Sequence, residues 1–381
     1  MAKTPTHPYA ITMWDFSWIE RRWPGAGYED WDLALDELAE RGYDTVRIDA
    51  FPHLVSADPD KAWDLVPVWN QTSWGAQSPI TIPPVVPALL EFIRKCAERD
   101  IKVGLSTWYR EDTDNLRMNI RTPQDQAKIW IDTIRHVADA GLMDSIIYVD
   151  LCNEFLPWAP YMFEHDPFKA TRTSPLLRTE SWVEEWMRDS IELVRAEFPG
   201  VDLTYSFTNE FTTWREQDVS SFDLLEPHVW MSNPVVSDLH ERVGYHWERF
   251  DPKGFDNIVK YARKYYEEDQ ERYDGLLFGM IDTVADWSRA TGLGLVTTEC
   301  WAMVDWKDWP GLEWDWILDL NARAVEYVVQ QGRWTGIATS NFCGPQFVGM
   351  WREVEWHQRM TRLIKSAPID ADIAATRARR P

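Results

Sequence analysis

The sequence predicts a single (β/α)8 barrel with long, tryptophan-rich βα loops, and three observations carry that reading. Short, β-rich apolar runs alternate with helical patterns along the chain, with neither internal repeats nor a linker between them. Several runs end abruptly in polar residues, as when Ile146-Ile-Tyr-Val-Asp150 gives way to Asn153 and Glu154, or Gly294-Leu-Val-Thr-Thr runs into Glu299. A buried parallel strand reads as a continuous apolar run, and the carboxyl ends of barrel strands are where active sites collect. The length, 381 residues, suits one generous barrel, expected over residues 1–370 with a disordered tail at 371–381.

The elements follow in order. Tyr9 to Asp15 is the first strand, ending in Trp14 and Asp15. Trp31, Leu35 and Leu38 then recur at helical spacing on a helix that Gly42 can close. Tyr43 to Ala50 is the second strand, with Arg47 and Asp49 near its end. Phe51 to Ile82 lacks periodicity and is expected to be a loop over the binding face, containing Trp63, Trp69 and Trp74.

A helix over Val86–Ala97 leads to a third strand, Ile101–Leu105, and on to Trp108 and Tyr109. Trp130, Ile134 and Val137 mark the next helix, before the strand that presents Asn153 and Glu154. Val183, Met187, Ile191 and Val194 mark another. Val201–Phe207 is the fifth strand, leading to Asn209 and Glu210, and Phe222–Met231 holds the sixth, with His228 and Trp230. Helical patterns around Ile258–Tyr266 and Leu276–Trp287 precede the Glu299 strand. Ile317, Leu320, Ala324 and Val328 trace a helix before the eighth strand, Thr335–Asn341, and a closing helix follows Val354.

Composition narrows the partners. A net charge of −23 disfavours nucleic acid and anionic membrane surfaces. No apolar run is long enough to span a bilayer, and the first residues lack the apolar core of a secretory signal. Cys96, Cys152, Cys300 and Cys343 show no zinc or disulfide spacing, so free thiols in a cytoplasmic protein are expected. The sequence gives no indication of oligomeric state. The 24 tryptophans exceed what a core requires, and many sit in polar or turn-rich stretches where their rings could stack on sugar faces.

Two strands ending in glutamate suggest a facing carboxyl pair. Glycosidic bonds are most often cleaved by such a pair, one group protonating the leaving oxygen while the other attacks or activates water. At these residues the chain resembles the retaining glycoside hydrolase clan that includes cellulases, β-mannanases and β-galactosidases. Asn153-Glu154 closing strand four, Glu299 closing strand seven, Arg47 on strand two and the Pro-His-Val-Trp stretch with His228 and Trp230 carry the resemblance.

The resemblance implies Glu154 as acid/base, Glu299 as nucleophile and Asn153 as partner of the sugar 2-hydroxyl, with Arg47 helping keep the nucleophile ionised. Trp14, Asp15, Arg47, Trp108, Asn153, Glu210, His228, Trp230, Trp301 and Asn341 are the candidate substrate-binding residues, for a small carbohydrate or glycoside, with no cofactor and no metal. The chain departs from the clan's pattern on three strands. Trp230 stands where a tyrosine is common, Ser340-Asn341-Phe342 where a tryptophan is, and Trp108-Tyr109 where a histidine is frequent. Three other readings stay open: Glu210 as the acid, a non-catalytic sugar-binding barrel, and a metal-dependent barrel enzyme. The last is poorly served by the eight histidines, of which only His228 and His53 fall near strand ends.

Overall fold

The computed structural model describes residues 5–67, 76, 78–246, 251–303 and 307–373. Eight parallel strands form the barrel: β1 Tyr9–Thr12, β2 Thr45–Asp49, β3 Lys102–Ser106, β4 Ile146–Asp150, β5 Leu203–Thr204, β6 Leu224–Leu225, β7 Gly294–Thr297 and β8 Trp334–Ala338. Their hydrogen-bonded order is β5-β4-β3-β2-β1-β8-β7-β6. The circle closes between β5 and β6 through a parallel bridge pairing Phe207 with Pro227. Beyond β6 and β7 the pairing resumes, Val229–Trp230 lying beside Cys300–Trp301. The expected (β/α)8 barrel is therefore the fold.

Helices α1 Trp31–Glu40, α2 Val85–Ala97, α3 Pro123–Asp139, α4 Ser181–Glu197, α5 Gln270–Thr291, α6 Asp315–Val328 and α7 Val354–Ser366 pack outside the strands. Their starts are written in the sequence. Asp30 caps α1 by accepting from the backbone N–H groups of Asp32 and Leu33, and Thr122 caps α3 ahead of a proline in its first turn. Gly42 follows α1 at φ +83°, a conformation a β-carbon would strain.

The strand interiors face one core, and one glycine is required there. A β-carbon on Gly104 would lie 2.5 Å from the ring of Tyr148, which needs that space to reach across the barrel.

The structure differs from the expectation in three places. Between β5 and β6 runs only a 3-10 segment, Glu210–Glu216, and the helix ahead of α5 contains one π-turn, Ile258–Ala262. The stretch Phe51–Ile82 is not a plain loop. It holds a short helix, Pro52–Ala57, and an antiparallel pair, Trp63–Leu65 with Ile80–Ile82. Trp69 and Trp74 lie outside the described residues. At the carboxyl terminus Ala371–Ile373 are helical, with Ile373 buried, and positions 374–381 lie outside the described residues. Among the described residues no helix is long and apolar enough to cross a membrane.

Candidate active site

Arg47 is the centre of the polar cluster at the carboxyl end of the barrel. It points inward from β2 and is wholly buried, so its charge must be met by partners at close range. Asp15, just past β1, receives Nε and Nη2 at 2.9 and 2.7 Å in a two-pronged pair. Nη1 donates to Glu226 Oε1 at 2.5 Å, and Nη2 donates to Asn153 Oδ1 at 2.6 Å and Glu299 Oε1 at 2.9 Å. These carboxylates outweigh the desolvation of the guanidinium and raise its pKa.

Glu154 and Glu299 face each other across His228. An oxygen of each carboxyl and a ring nitrogen all lie within 4.8 Å of one another. His228 Nδ1 is 2.9 Å from Glu154 Oε1 and 3.6 Å from Glu299 Oε1. Burial works against a charge on this ring, but Glu299, Glu154 and Glu226 around it raise its pKa to about 10. Arg47 Nη1 also lies 3.3 Å from Nε2.

Burial raises Glu299 to about 8 against the opposing charges of His228 and Arg47, with the charge on Glu154 adding to the rise. Arg47 thus favours the ionised form of Glu299, but it works against a burial effect that the sequence does not display.

The three side chains are also spaced as metal ligands, the one such group among the described residues. Of the oxygens in that group, Glu299 Oε1 is already engaged by Arg47 and Glu154 Oε1 by the His228 ring.

The strand ends are tied to one another by further buried carboxylates. Asp150 accepts from Ser206 N and Oγ and from Ser106 Oγ at 2.8–2.9 Å, joining β4 to its two neighbours. Asp49 accepts from Phe51 N and Trp108 N at 2.7 and 2.8 Å. Trp108 in turn donates its indole N–H to Asp15 Oδ2 at 2.5 Å.

Of the residues predicted from sequence, Asp15, Arg47, Trp108, Asn153, Glu154, His228 and Glu299 converge on this one network. Asn153 keeps a buried amide Nδ2 with no hydrogen-bond partner among the described residues, and both amide atoms of Asn341 are in the same state. Asn341 lies past β8 with its backbone N–H on Cys300 O at 2.6 Å. Trp230 is buried on the extension of strand six, and Trp14 packs against Phe347 at 4.7 Å between centroids. Glu210 is half-buried; its carboxylate accepts from Thr208 N at 3.1 Å, and burial raises its pKa.

Trp301 is a correction. Its ring is fully buried and its N–H donates to Ala338 O at 3.1 Å, so it packs the barrel wall and offers no face to a sugar.

Two residues escaped the sequence reading. Glu226 accepts from Arg47, Tyr148 and Thr298 on one oxygen. It stands two positions before His228 on an extended segment, and that alternate spacing, which puts both on one face, was the available signal. Trp158 donates its indole N–H to Glu154 Oε2 at 3.1 Å from an irregular turn, where no periodicity marks it. At the opposite end of the barrel a cavity of about 740 Å³ is lined by Tyr9, Lys102, Ile146, Leu224, Val296 and Thr335, and it contains none of the predicted residues.

This cluster, at the carboxyl ends of the barrel strands, gathers the residues that carry the sequence resemblance. The chain belongs to the sugar-binding cellulase-like family, whose model matches residues 11–365. It is 44% identical to a candidate glycoside hydrolase from Parabacteroides distasonis ATCC 8503, over 99% of this chain and 100% of that one, with a TM-score of 0.92. The fold is shared at lower identity with two other proteins. One is a GH5_18 protein from Streptomyces cattleya solved with GlcNAc (14% identity, 99% and 88% coverage, TM-score 0.55). The other is an endocellulase from Pyrococcus horikoshii solved with cellotetraose (11% identity, 94% and 93% coverage, TM-score 0.55). No curated protein matches the chain.

Proposed function

We propose that the protein is a retaining glycoside hydrolase that cleaves a β-glycosidic bond in a small glycoside or oligosaccharide. The observation that carries this reading is the approach of Glu154 and Glu299, whose nearer oxygens lie within 4.8 Å. Retaining enzymes hold their carboxyls about 5–5.5 Å apart, whereas inverting enzymes leave about 6.5–9.5 Å for a water.

In the first step Glu299 attacks the anomeric carbon as Glu154 protonates the departing oxygen. In the second, Glu154 takes a proton from water, which displaces Glu299 from the glycosyl-enzyme. Arg47 touches Glu299 and not Glu154, and its charge favours the ionised form that attack by Glu299 requires. Asn153, its Oδ1 fixed by Arg47, has the free Nδ2 to offer the sugar 2-hydroxyl. Asp15 and Trp108 hold Arg47 in place, and Glu210, Trp230, Trp14 and Asn341 are the remaining groups proposed to meet sugar hydroxyls or ring faces.

Four free, buried cysteines support a cytoplasmic setting, where small imported glycosides are the available substrates. We expect the loops over Phe51–Ile82 and Ser232–Gly254 to wall one end of the cleft. Parts of both lie outside the described residues.

A panel of nitrophenyl glycosides and short oligosaccharides tests the reading, with the anomer of the first-formed product followed by proton NMR. Hydrolysis with retention is the expected result. Inversion would overturn the mechanism, and binding of sugars without turnover of any panel member would favour a non-catalytic sugar-binding barrel.

A further inference from the structure

Glu154 is held by two donors of different kinds. Oε1 faces His228, which is fully buried and also engaged by Glu299, Thr298 and Arg47. Oε2 accepts the indole N–H of Trp158 at 3.1 Å. Trp158 is half-buried and follows Glu154 by four residues in a run of turns between β4 and the short helix Pro160–His165. Its ring lies 5.0 Å from that of Trp108, which is pinned to Asp15. The Glu154 side chain retains 15% exposure against 1% for Glu299, so the Trp158 side is the side open to the cleft. An acid that protonates a leaving oxygen becomes a carboxylate in the same step, and a neutral N–H aimed at its oxygen stabilises that charge.

We propose that Trp158 is a positioning residue for the acid/base: its indole N–H orients the cleft-side oxygen of Glu154 and stabilises the carboxylate left when the proton has gone to the leaving group. This rests on the glycoside hydrolase reading above. The charged and titratable groups around Glu154 besides Trp158 are His228, Glu299, Glu210 and Cys152, so the contribution of Trp158 has to be isolated by changing it alone.

The primary test needs no turnover. In protein labelled with carbon-13 at the glutamate carboxyls, Glu154 is identified by the signal lost in Glu154→Gln and is titrated in wild type and in Trp158→Phe, which keeps a ring and removes the donor. Loss of one charge-assisted hydrogen bond should raise the midpoint of Glu154 by about one pH unit. In wild type, where no folding question arises, the Trp158 indole nitrogen-15 resonance should shift through the same midpoint and stop doing so in Glu154→Gln. An unchanged Glu154 midpoint in Trp158→Phe, or an indole resonance blind to it, would overturn the proposal.

A second arm uses nitrophenyl and methyl glycosides of the sugar that turns over fastest in the panel. The defect of Trp158→Phe should be small for nitrophenyl and at least tenfold for methyl, whose departure depends on the acid. An equal defect on both would mean that the ring merely shapes the cleft, and would also overturn the proposal. If nothing in the panel turns over while the midpoint still moves, the hydrolase reading fails and the coupling of Trp158 to Glu154 stands.

Discussion

The ends of strands four and seven each present a glutamate to the same space, and the two ends are built differently. Glu299 stands two positions past the end of β7, is 1% exposed, and is held by a backbone bond to Val229 and by the guanidinium of Arg47. Glu154 stands on a turn, with φ at +42° in the left-handed region, where a side chain other than glycine costs roughly 1–2 kcal/mol. It is partly open to solvent, and Arg47 does not reach it. A group that must stay charged and collide with carbon is served by rigidity and a fixed cation. One that must lose and regain a proton in each cycle is served by access and by donors that tolerate both states.

That contrast can be broken most sharply at Glu299. With Glu299 as the proposed nucleophile, Glu299→Gln should lower turnover on every substrate by on the order of 10⁴-fold or more. Azide added to Glu299→Gly should yield a glycosyl azide of inverted configuration, identified by NMR. Glu154→Ala should cost about 10²–10⁴-fold on glycosides with poor leaving groups and much less on nitrophenyl glycosides, with azide giving the retained product. If Glu210→Ala shows that pattern in its place, strand five supplies the acid.

The next effect is on stability. Arg47→Met leaves Asp15, Glu226 and Glu299 buried without their cation and should cost about 3–5 kcal/mol in urea unfolding. Removing the exposed Lys95–Asp32 pair should leave the unfolding curve close to that of wild type.

The smallest effect separates the carboxylates that tie the strands from those proposed to react. Burial raises Asp150 to about 6 and Asp49 to about 7. A carboxyl whose folded pKa is raised binds protons more tightly when folded. Its contribution is therefore complete below about pH 4 and is lost as pH rises through 6 to 7. The calorimetric Tm of wild type relative to Asp49→Asn should accordingly fall between about pH 4 and 7 at constant salt. A difference that stays constant or rises across this window would contradict the assignment.

Much of this was legible because strands and reactive ends leave different marks. The run Ile146–Asp150 is apolar until its last residue, and the register of the barrel then dictates that Asn153 and Glu154 emerge at the mouth. Glu226 was obscured by its setting, Leu-Leu-Glu-Pro-His, which reads as a turn because β6 itself spans only Leu224–Leu225. Trp301 was misjudged for a different reason. Adjacency to a candidate site residue says nothing of whether a ring is open to a ligand, and here the ring is fully buried with its N–H on Ala338 O. Asp49 and Asp150 look like ordinary strand-end acids in sequence, and only the assembled backbone reveals the N–H and hydroxyl groups that hold them.

The contacts of Arg47 also bear on how the chain reaches its native state. Its partners Asp15, Asn153, Glu226 and Glu299 stand 32, 106, 179 and 252 positions away in sequence. Contacts of such separation come late, because the entropy of closing the intervening loops must be met before they contribute. Until β6 and β7 dock, the guanidinium faces too few anions to be dehydrated, so a half-assembled barrel is kept from settling around it. Recovery of activity after dilution from denaturant should then lag the recovery of helical signal, the reactive cluster being completed with the last strands of the circle.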